Sequence, residues 1–290
     1  MSDFVVGACS SSDLPPEYAA KRGLVILPYH YVIDGKEYLE NQEGCLTVKE
    51  FYDKLRAGFN STTSSVNPET FETLFRSVLE QGKDIIYVVL SSGLSATYSH
   101  AKMVADKLSE EFPERKLYIV DSLSATAGFA LLVHLILNMR DEGKSIDEIY
   151  EWALRSNKKI IHWFVVENLD YLRRGGRITH ASAFLGTALN IKPVLRFDDE
   201  GKIIPTDKIR GRRKSLIELV GKMDGQIVNP EGGTVYLSHG DCLEDAQFVR
   251  GLVQERYPKL KETVILDTGP VIGSHTGPGI VTLHYLGNKR

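Results

Sequence analysis

Three serine-rich segments follow predicted strands, and each of them precedes a predicted helix. They are residues 10–12, 91–95 and 122–124. Open α/β sheets bind their ligands outside the carboxyl ends of the strands, so we expect the three segments to lie together at one edge of a sheet. The first N–H groups of a helix and the helix dipole favour an anion. The pattern therefore predicts a hydroxyl-lined site for a small anion, either a carboxylate or a phosphate.

A fourth hydroxyl-rich segment spans residues 60–67, which we predict to be a polar loop before a helix that Pro68 opens. Its hydroxyl side chains are Ser61, Thr62, Thr63, Ser64 and Ser65. Serine and threonine are also the preferred N-cap residues of helices, so any single one of them is explained better as a cap than as a ligand contact. The residue pattern leaves both interpretations open.

The most unusual stretch of the chain is residues 269–279. Four glycines and two prolines among these eleven residues predict a loop with close backbone approaches, and His275 lies near its middle. A lone histidine is usually structural. Beside an anion site it can also donate a hydrogen bond, and the sequence favours neither role.

Serine-nucleophile chemistry is an alternative for residues 93–97, which resemble the GxSxG turn of hydrolases. Ser95 would be the nucleophile, but Thr97 replaces the final glycine and would crowd the sharp turn. The best-placed partner by loop context is His275. A stand-alone serine hydrolase using Ser95 is therefore the second hypothesis.

Phosphate-loop and metal chemistry have weaker signals. Residues 143–145 end like a phosphate-binding loop, but Asn138 stands where its first glycine should be, so we predict a turn and a helix cap. The eight histidines have no metal-ligand spacing, and we expect no metal.

Composition excludes some classes of protein. The 290 residues carry a net charge of -3, and the pI near 6.3 argues against a nucleic-acid binder held by net positive charge. Two basic clusters, residues 173–177 and 208–214, are either solvated surface or a contact for an acidic or phosphate-bearing partner.

The sequence also indicates where the protein works. The longest apolar stretch, residues 129–137, is shorter than the roughly 20 residues of a membrane helix, so no stable membrane insertion is expected. The N-terminus has no basic region of a signal peptide. Three widely spaced cysteines fit a reducing interior. We expect a cytoplasmic protein.

Short apolar runs alternate with helical patterns, which predicts an α/β fold. We expect a mainly parallel sheet with flanking helices in residues 1–158. A second α/β domain, residues 159–290, would contain a hairpin in which residues 198–201 join two strands.

Seven motifs then occur in order over nearly the whole chain and together resemble the DegV family of bacterial fatty-acid-binding proteins. They are SSSDLP, TSSVNPETF, SSGLSATY, VDSLSATAG, ENLDYLRRGGRI, PVLRFDDEGKI and GPVIGSHTGPG. The resemblance implies a two-domain DegV-like fold that holds one long-chain fatty acid, such as palmitate, stearate or oleate, between its domains. It also implies a non-catalytic role in lipid metabolism and phospholipid synthesis, in which the protein presents the acyl carboxylate to a separate ATP-binding fatty-acid kinase subunit.

The same resemblance carries site residues over to this chain. Thr63 matches the carboxylate-binding threonine of the family's TSQPS-type loop, with Ser64 beside it, although Val66 replaces the usual proline. Ser95 matches the serine of GLSGTY and would be the second carboxylate ligand, and His275 matches the histidine of GTHxGPG.

Three arginines are candidates for contacts with the partner. Arg177 matches the arginine of GGRI and would dock the partner or order the site, while Arg173 and Arg210 come from the two basic clusters.

Overall fold

A computed structural model of the chain describes residues 4–178 and 190–289. Its strands form three sheets. The strands of the first and second sheets lie within residues 4–89 and 117–121, and the strands of the third sheet lie within residues 160–286.

The first sheet has four strands in the order β2-β1-β6-β7, and all its pairings are parallel. Its strands are apolar runs, because a parallel sheet covered on both faces is buried throughout. All but the second strand along the chain lead into a serine-rich segment. The four strands are β1 (Phe4–Cys9), β2 (Leu24–Leu27), β6 (Asp84–Val89) and β7 (Leu117–Asp121). The predicted parallel sheet with flanking helices is confirmed.

A small antiparallel sheet in the order β4-β3-β5 stands beside the first one. Its strands are β3 (His30–Ile33), β4 (Lys36–Leu39) and β5 (Ser61–Ser64). The prediction of a loop at residues 60–67 was wrong for β5, where Thr63 pairs with Tyr31 and Ser64 with His30. Short polar strands lack the apolar alternation that identifies a strand in a sequence.

The third sheet has six strands in the order β10-β9-β8-β13-β11-β12. The predicted hairpin joins its first two strands, and only β11 and β12 pair in parallel. The strands are β8 (Ile160–Val165), β9 (Ile191–Phe197), β10 (Ile203–Arg210), β11 (Thr234–His239), β12 (Glu262–Asp267) and β13 (Val281–Leu286).

Ten helices are defined in the described part of the chain. They are α1 (Pro16–Arg22), α2 (Val48–Arg56), α3 (Pro68–Leu79), α4 (Thr97–Glu111), α5 (Thr126–Asp141), α6 (Ile146–Ser156), α7 (Asp170–Arg174), α8 (Arg212–Gly221), α9 (Leu243–Arg256) and α10 (Pro270–Thr276). Capping boxes start α2 at Thr47 and α6 at Ser145, so the phosphate-loop-like residues 143–145 are a turn and a cap, as predicted.

Two short helices differ from the predictions. The glycine- and proline-rich stretch contains α10 instead of a loop, because Pro270 fits the first turn of a helix and Gly277 ends it at a φ of 74°. The helix α7, which ends inside the first basic cluster, has no counterpart in the predicted elements.

The two large sheets share one apolar core, and α5 lies between them. Eleven of its sixteen residues are buried, and it packs against β8, β11 and β13. A second core lies between the third sheet and helices α8 and α9, and a third lies under α2. This arrangement puts the carboxyl edge of the first sheet against one face of the third sheet.

Candidate functional site

A cavity of about 200 Å³ lies where that edge meets the third sheet. Most of its wall is apolar and comes from both sheets and their connections, including Leu90, Leu94, Phe164, Phe197, Ile203 and Ile280. Hydroxyl, imidazole and guanidinium groups line the remainder. Such a cavity fits a ligand that has one polar end and a long apolar part.

Thr63 and His275 meet on the cavity wall although 212 residues separate them in the chain. Their Oγ1 and Nε2 atoms are 2.7 Å apart. Thr63 comes from β5 and His275 from α10, so the pair forms only when these two elements pack together. Ser61 and Ser274 make a second contact between the same elements, with 2.7 Å between their Oγ atoms.

Buried carboxyl groups fix the start of α10. The backbone N–H of Gly269 donates to Asp13 Oδ1 at 3.1 Å, and that of Val271 donates to Glu40 Oε1 at 2.9 Å. Burial raises the pKa of both carboxyls. Tyr52 also donates to the backbone oxygen of Thr268 at 3.0 Å. These contacts hold the helix that carries His275 against the N-terminal residues.

His275 is neutral at physiological pH. Burial, and secondarily the positive charge of Arg177, lowers its pKa to about 4. Its Nδ1 lies against Gly175, where a Cβ would approach it to 2.3 Å, and this atom has no hydrogen-bond partner among the described residues. A neutral imidazole can either donate or accept a hydrogen bond at Nε2. The Thr63 hydroxyl can accept in the first case and donate in the second.

Ser95 lies on the same wall, directly before α4. Its Oγ lies 2.9 Å from Thr97 Oγ1, which accepts a hydrogen bond from Tyr29 at 2.8 Å. The N-cap residue of this helix, Ala96, makes no side-chain capping bond, and Ser95 Oγ accepts the backbone N–H of Thr97 at 3.3 Å. The positive end of the α4 dipole therefore points to the polar end of the cavity and favours an anion there.

Three other serines of these segments form hydrogen bonds within the protein. Ser10 Oγ accepts the backbone N–H of Tyr29 at 3.0 Å, and Ser91 Oγ donates to the backbone oxygen of Gly201 at 2.8 Å. Ser122 Oγ donates to the backbone oxygen of Ser124 at 3.1 Å. None of these residues lines the cavity, so here the structural interpretation of the serines applies.

The three arginines lie in different places. Arg177 lines the cavity, where its guanidinium donates to the backbone oxygens of Leu94 and Gly175. Arg173 is exposed and pairs with Asp170 at 3.2 Å. Arg210 is exposed at the end of β10 and does not line the cavity. Only Arg177 is therefore placed to act on a bound ligand.

The geometry does not support a serine nucleophile. Thr97, not an imidazole, is the side-chain partner of Ser95 in the described residues, and His275 has no carboxylate at Nδ1 to orient it. Over residues 4–178 and 190–289 there is also no cluster of three or more residues suited to a metal ion. No helix in this part of the chain is long and apolar enough to cross a membrane.

Several wall residues were absent from the sequence predictions. Tyr29 lies near the polar end, and Thr126, Thr282 and His284 are further polar residues of the wall. The sequence did contain one signal for the last two of these residues. Side chains alternate between the two faces of a strand, so Ile280, Thr282 and His284 lie on one face of the sheet. Sequence alone could not show that this face meets a cavity.

Fold and cavity together define a two-domain α/β protein with a ligand-sized cavity between its sheets. A family model described as DegV, an uncharacterised protein family, matches residues 6–288. The chain is 39% identical over 290 residues to a DegV domain-containing protein of Clostridium perfringens, covering 100% of this chain and 99% of the relative. The chain belongs to the DegV family, as its motifs predicted.

Solved structures of the family share the fold. A DegV family protein from Thermus thermophilus, described by its fatty-acid binding, superposes with a TM-score of 0.87 at 28% identity, over 99% of this chain and 100% of that one. A Ruminococcus gnavus DegV family protein with vaccenic acid also has a TM-score of 0.87, at 26% identity over 97% and 99% of the two chains. Fatty acids are therefore the ligands described for members of this family.

Proposed function

We propose that this chain binds one long-chain fatty acid in the cavity and presents its carboxylate to a separate ATP-dependent kinase subunit. The observation that carries the proposal is the apolar cavity with hydroxyl groups and a helix N-terminus at one end. The domains would be residues 1–158 and 159–290, with the fatty acid between them, and the protein would act in the cytoplasm without catalysing a reaction alone.

The polar end of the cavity suits a carboxylate. Thr63 and Ser95 supply hydroxyl donors, Ser64 lies beside them on the exposed rim, and His275 fixes the Thr63 hydroxyl. Arg177 adds a positive charge, and its guanidinium donates to the backbone oxygens of Leu94 and Gly175. Hydrogen bonds to a charged group contribute about 1.5–3 kcal/mol each, so two hydroxyls suffice to select a carboxylate.

The acyl tail would supply most of the affinity. Each buried CH₂ group contributes about 0.8 kcal/mol, so a long chain gains on the order of 10 kcal/mol before the cost of ordering it. The apolar wall from both sheets provides the surface for this burial. The ligand would be an acid such as palmitate, stearate or oleate.

Presentation to a kinase follows from how the carboxylate is held. Neutral hydroxyl donors leave it able to attack the γ-phosphorus of ATP, which forms a carboxyl O–P bond, breaks the bond to the β-phosphate and releases ADP. The partner would supply the ATP. The exposed arginines Arg173 and Arg210 are candidates for docking that subunit, and Arg177 for ordering the site beneath it.

Native mass spectrometry of the purified chain, followed by organic extraction, tests the binding step. We expect a stoichiometric adduct that extracts as a long-chain fatty acid. A bare protein that also fails to take up added oleate or palmitate would refute the proposal. Ester turnover without a partner, with covalent labelling of Ser95 by a fluorophosphonate, would establish a hydrolase instead.

A further inference from the structure

Three hydroxyl groups form a hydrogen-bonded chain that ends at Ser95. The phenol of Tyr29 donates to Thr97 Oγ1 at 2.8 Å, and Thr97 Oγ1 lies 2.9 Å from Ser95 Oγ. Thr97 is fully buried and Tyr29 is 2% exposed, whereas Ser95 is half-buried on the cavity wall. The chain therefore runs from the apolar core to the polar end of the cavity.

The direction of these hydrogen bonds follows from the number of hydrogens, because each hydroxyl has only one to donate. The Thr97 oxygen accepts the hydrogen of Tyr29, so the hydrogen of Thr97 turns away from Tyr29 and is left for Ser95 Oγ. The backbone N–H of Thr97 also donates to Ser95 Oγ, at 3.3 Å. Ser95 thus receives two hydrogens from Thr97, and its own hydrogen is left for the cavity.

Tyr29 is a fixed and permanent donor at the start of this chain. Its ring belongs to the main apolar core, and its backbone oxygen accepts the N–H of Glu40 at 2.9 Å. Burial raises the pKa of its phenol well above the ordinary value, so the hydroxyl stays protonated over the physiological range of pH. The chain of hydroxyls therefore keeps one direction.

The second carboxylate-binding hydroxyl, that of Thr63, has no such fixed direction. The neutral imidazole of His275 can carry its hydrogen on either ring nitrogen. With the hydrogen on Nε2, Thr63 accepts it and turns its own hydrogen to a ligand. With the hydrogen on Nδ1, Thr63 donates to the imidazole across the same 2.7 Å contact. Ser95 is therefore the hydroxyl whose polarity the surrounding protein sets.

Polarity matters for some ligands and not for others. A carboxylate only accepts hydrogen bonds, whereas an alcohol both donates and accepts them. Only the carboxylate therefore depends on the direction in which the Ser95 hydrogen points. We propose that Tyr29 and Thr97 are positioning residues that make the Ser95 hydroxyl a donor to the ligand, so that the site selects an ionised fatty acid over a fatty alcohol. This inference rests on the proposed fatty-acid binding.

Titrations of the full chain with oleate and with oleyl alcohol test the inference through the ratio of the two affinities. The wild-type protein should bind oleate more tightly than the alcohol. In Tyr29→Phe the Thr97 oxygen loses its donor, so the Ser95 hydrogen turns to it and away from the ligand. We expect oleate affinity to fall about fivefold and oleyl alcohol affinity by less than about twofold, because the alcohol can donate to Ser95 instead.

A second substitution should reverse this loss. Thr97→Val, added to Tyr29→Phe, removes the oxygen to which the Ser95 hydrogen turned and keeps the shape of the side chain. The Ser95 hydrogen is then available to the ligand again, so oleate affinity should return to within about twofold of the wild-type value. A purely structural role of the two residues predicts the opposite, since two packing defects in one core weaken binding further.

Tyr87→Phe is the matched control. Tyr87 is a fully buried tyrosine of the same core, and its hydroxyl donates to the backbone oxygen of Ala8 at 2.7 Å. It does not line the cavity, so the variant should leave both affinities and their ratio unchanged.

The outcomes separate this inference from the proposed function. Equal losses for oleate and oleyl alcohol in Tyr29→Phe, or no loss at all, would overturn the positioning role and leave fatty-acid binding intact. An oleate affinity in the double variant no higher than in Tyr29→Phe would do the same, as would a wild-type protein that prefers the alcohol. If the double variant does not fold, the ratio in Tyr29→Phe against that in Tyr87→Phe decides the question. A wild-type protein that binds no long-chain fatty acid would overturn both proposals.

Discussion

Two sets of hydroxyl side chains, alike in sequence, have different roles in this molecule. Ser10 and Ser122 are fully buried and form hydrogen bonds with the backbone of the N-terminal residues. Thr63 and Ser95 are half-buried on the cavity wall, and each has a side-chain hydroxyl or imidazole as a partner. The first set should therefore affect stability, and the second should affect ligand binding.

The largest expected effect comes from removing the two cavity hydroxyls together. Thr63→Val with Ser95→Ala removes two hydrogen bonds to the carboxylate, at about 1.5–3 kcal/mol each, so affinity should fall by a factor on the order of 100 or more. Isothermal titration with oleate measures the loss. Thermal unfolding of the unliganded protein should change little. Unaltered affinity would remove both residues from the site.

The opposite behaviour is expected for Ser10→Ala. The buried N–H of Tyr29 loses its 3.0 Å partner, which costs about 1–3 kcal/mol of the free energy of unfolding. Urea denaturation gives this value, and oleate affinity should stay within about twofold. Ser77→Ala is the matched control, since Ser77 is exposed on α3 and should change stability by less than about 0.5 kcal/mol. If Ser10→Ala is as stable as this control, the buried serines do not contribute to stability in the way proposed for the first set.

A smaller effect should follow from Gly175→Ala. The new Cβ would lie 2.3 Å from His275 Nδ1, so the imidazole must move and its contact with Thr63 is lost. We expect oleate affinity to fall about tenfold, the equivalent of 1.4 kcal/mol. Gly251→Ala in α9 meets no atom within 4 Å and serves as the control, with unchanged affinity. Equal affinity of the two variants would mean that the position of His275 does not matter.

The last prediction concerns pH and the unliganded protein. Burial holds the pKa of His275 at about 4 in the folded state, below its ordinary value of 6.5. The unfolded chain then binds more protons between these two pH values, so this residue makes stability fall as the pH is lowered through that range. His275→Gln should weaken the dependence, as measured by urea denaturation at pH 7 and pH 5. An NMR titration midpoint of His275 near 6.5 would contradict the burial argument.

Local signals predicted many elements correctly. Thr47 and Glu50 form the capping box expected from their spacing, and the apolar runs ending in serine-rich segments are parallel strands. The short polar strand β5 and the helix α10 were predicted as loops, because their sequences lack the apolar periodicity of a strand or helix. Tertiary pairing with β3 and capping by buried carboxyls stabilise them instead.

The sequence by itself determined the α/β class, the family and the identity of the candidate ligands, since motifs and strand patterns are local properties of the chain. Only the tertiary structure decided which hydroxyls face the cavity, because Thr63, Ser95 and His275 come from distant segments that meet through packing. His284 is a similar case. The alternation along β13 shows in the sequence which face His284 shares, but only the tertiary structure, in which two sheets and α5 meet, places a cavity beside that face.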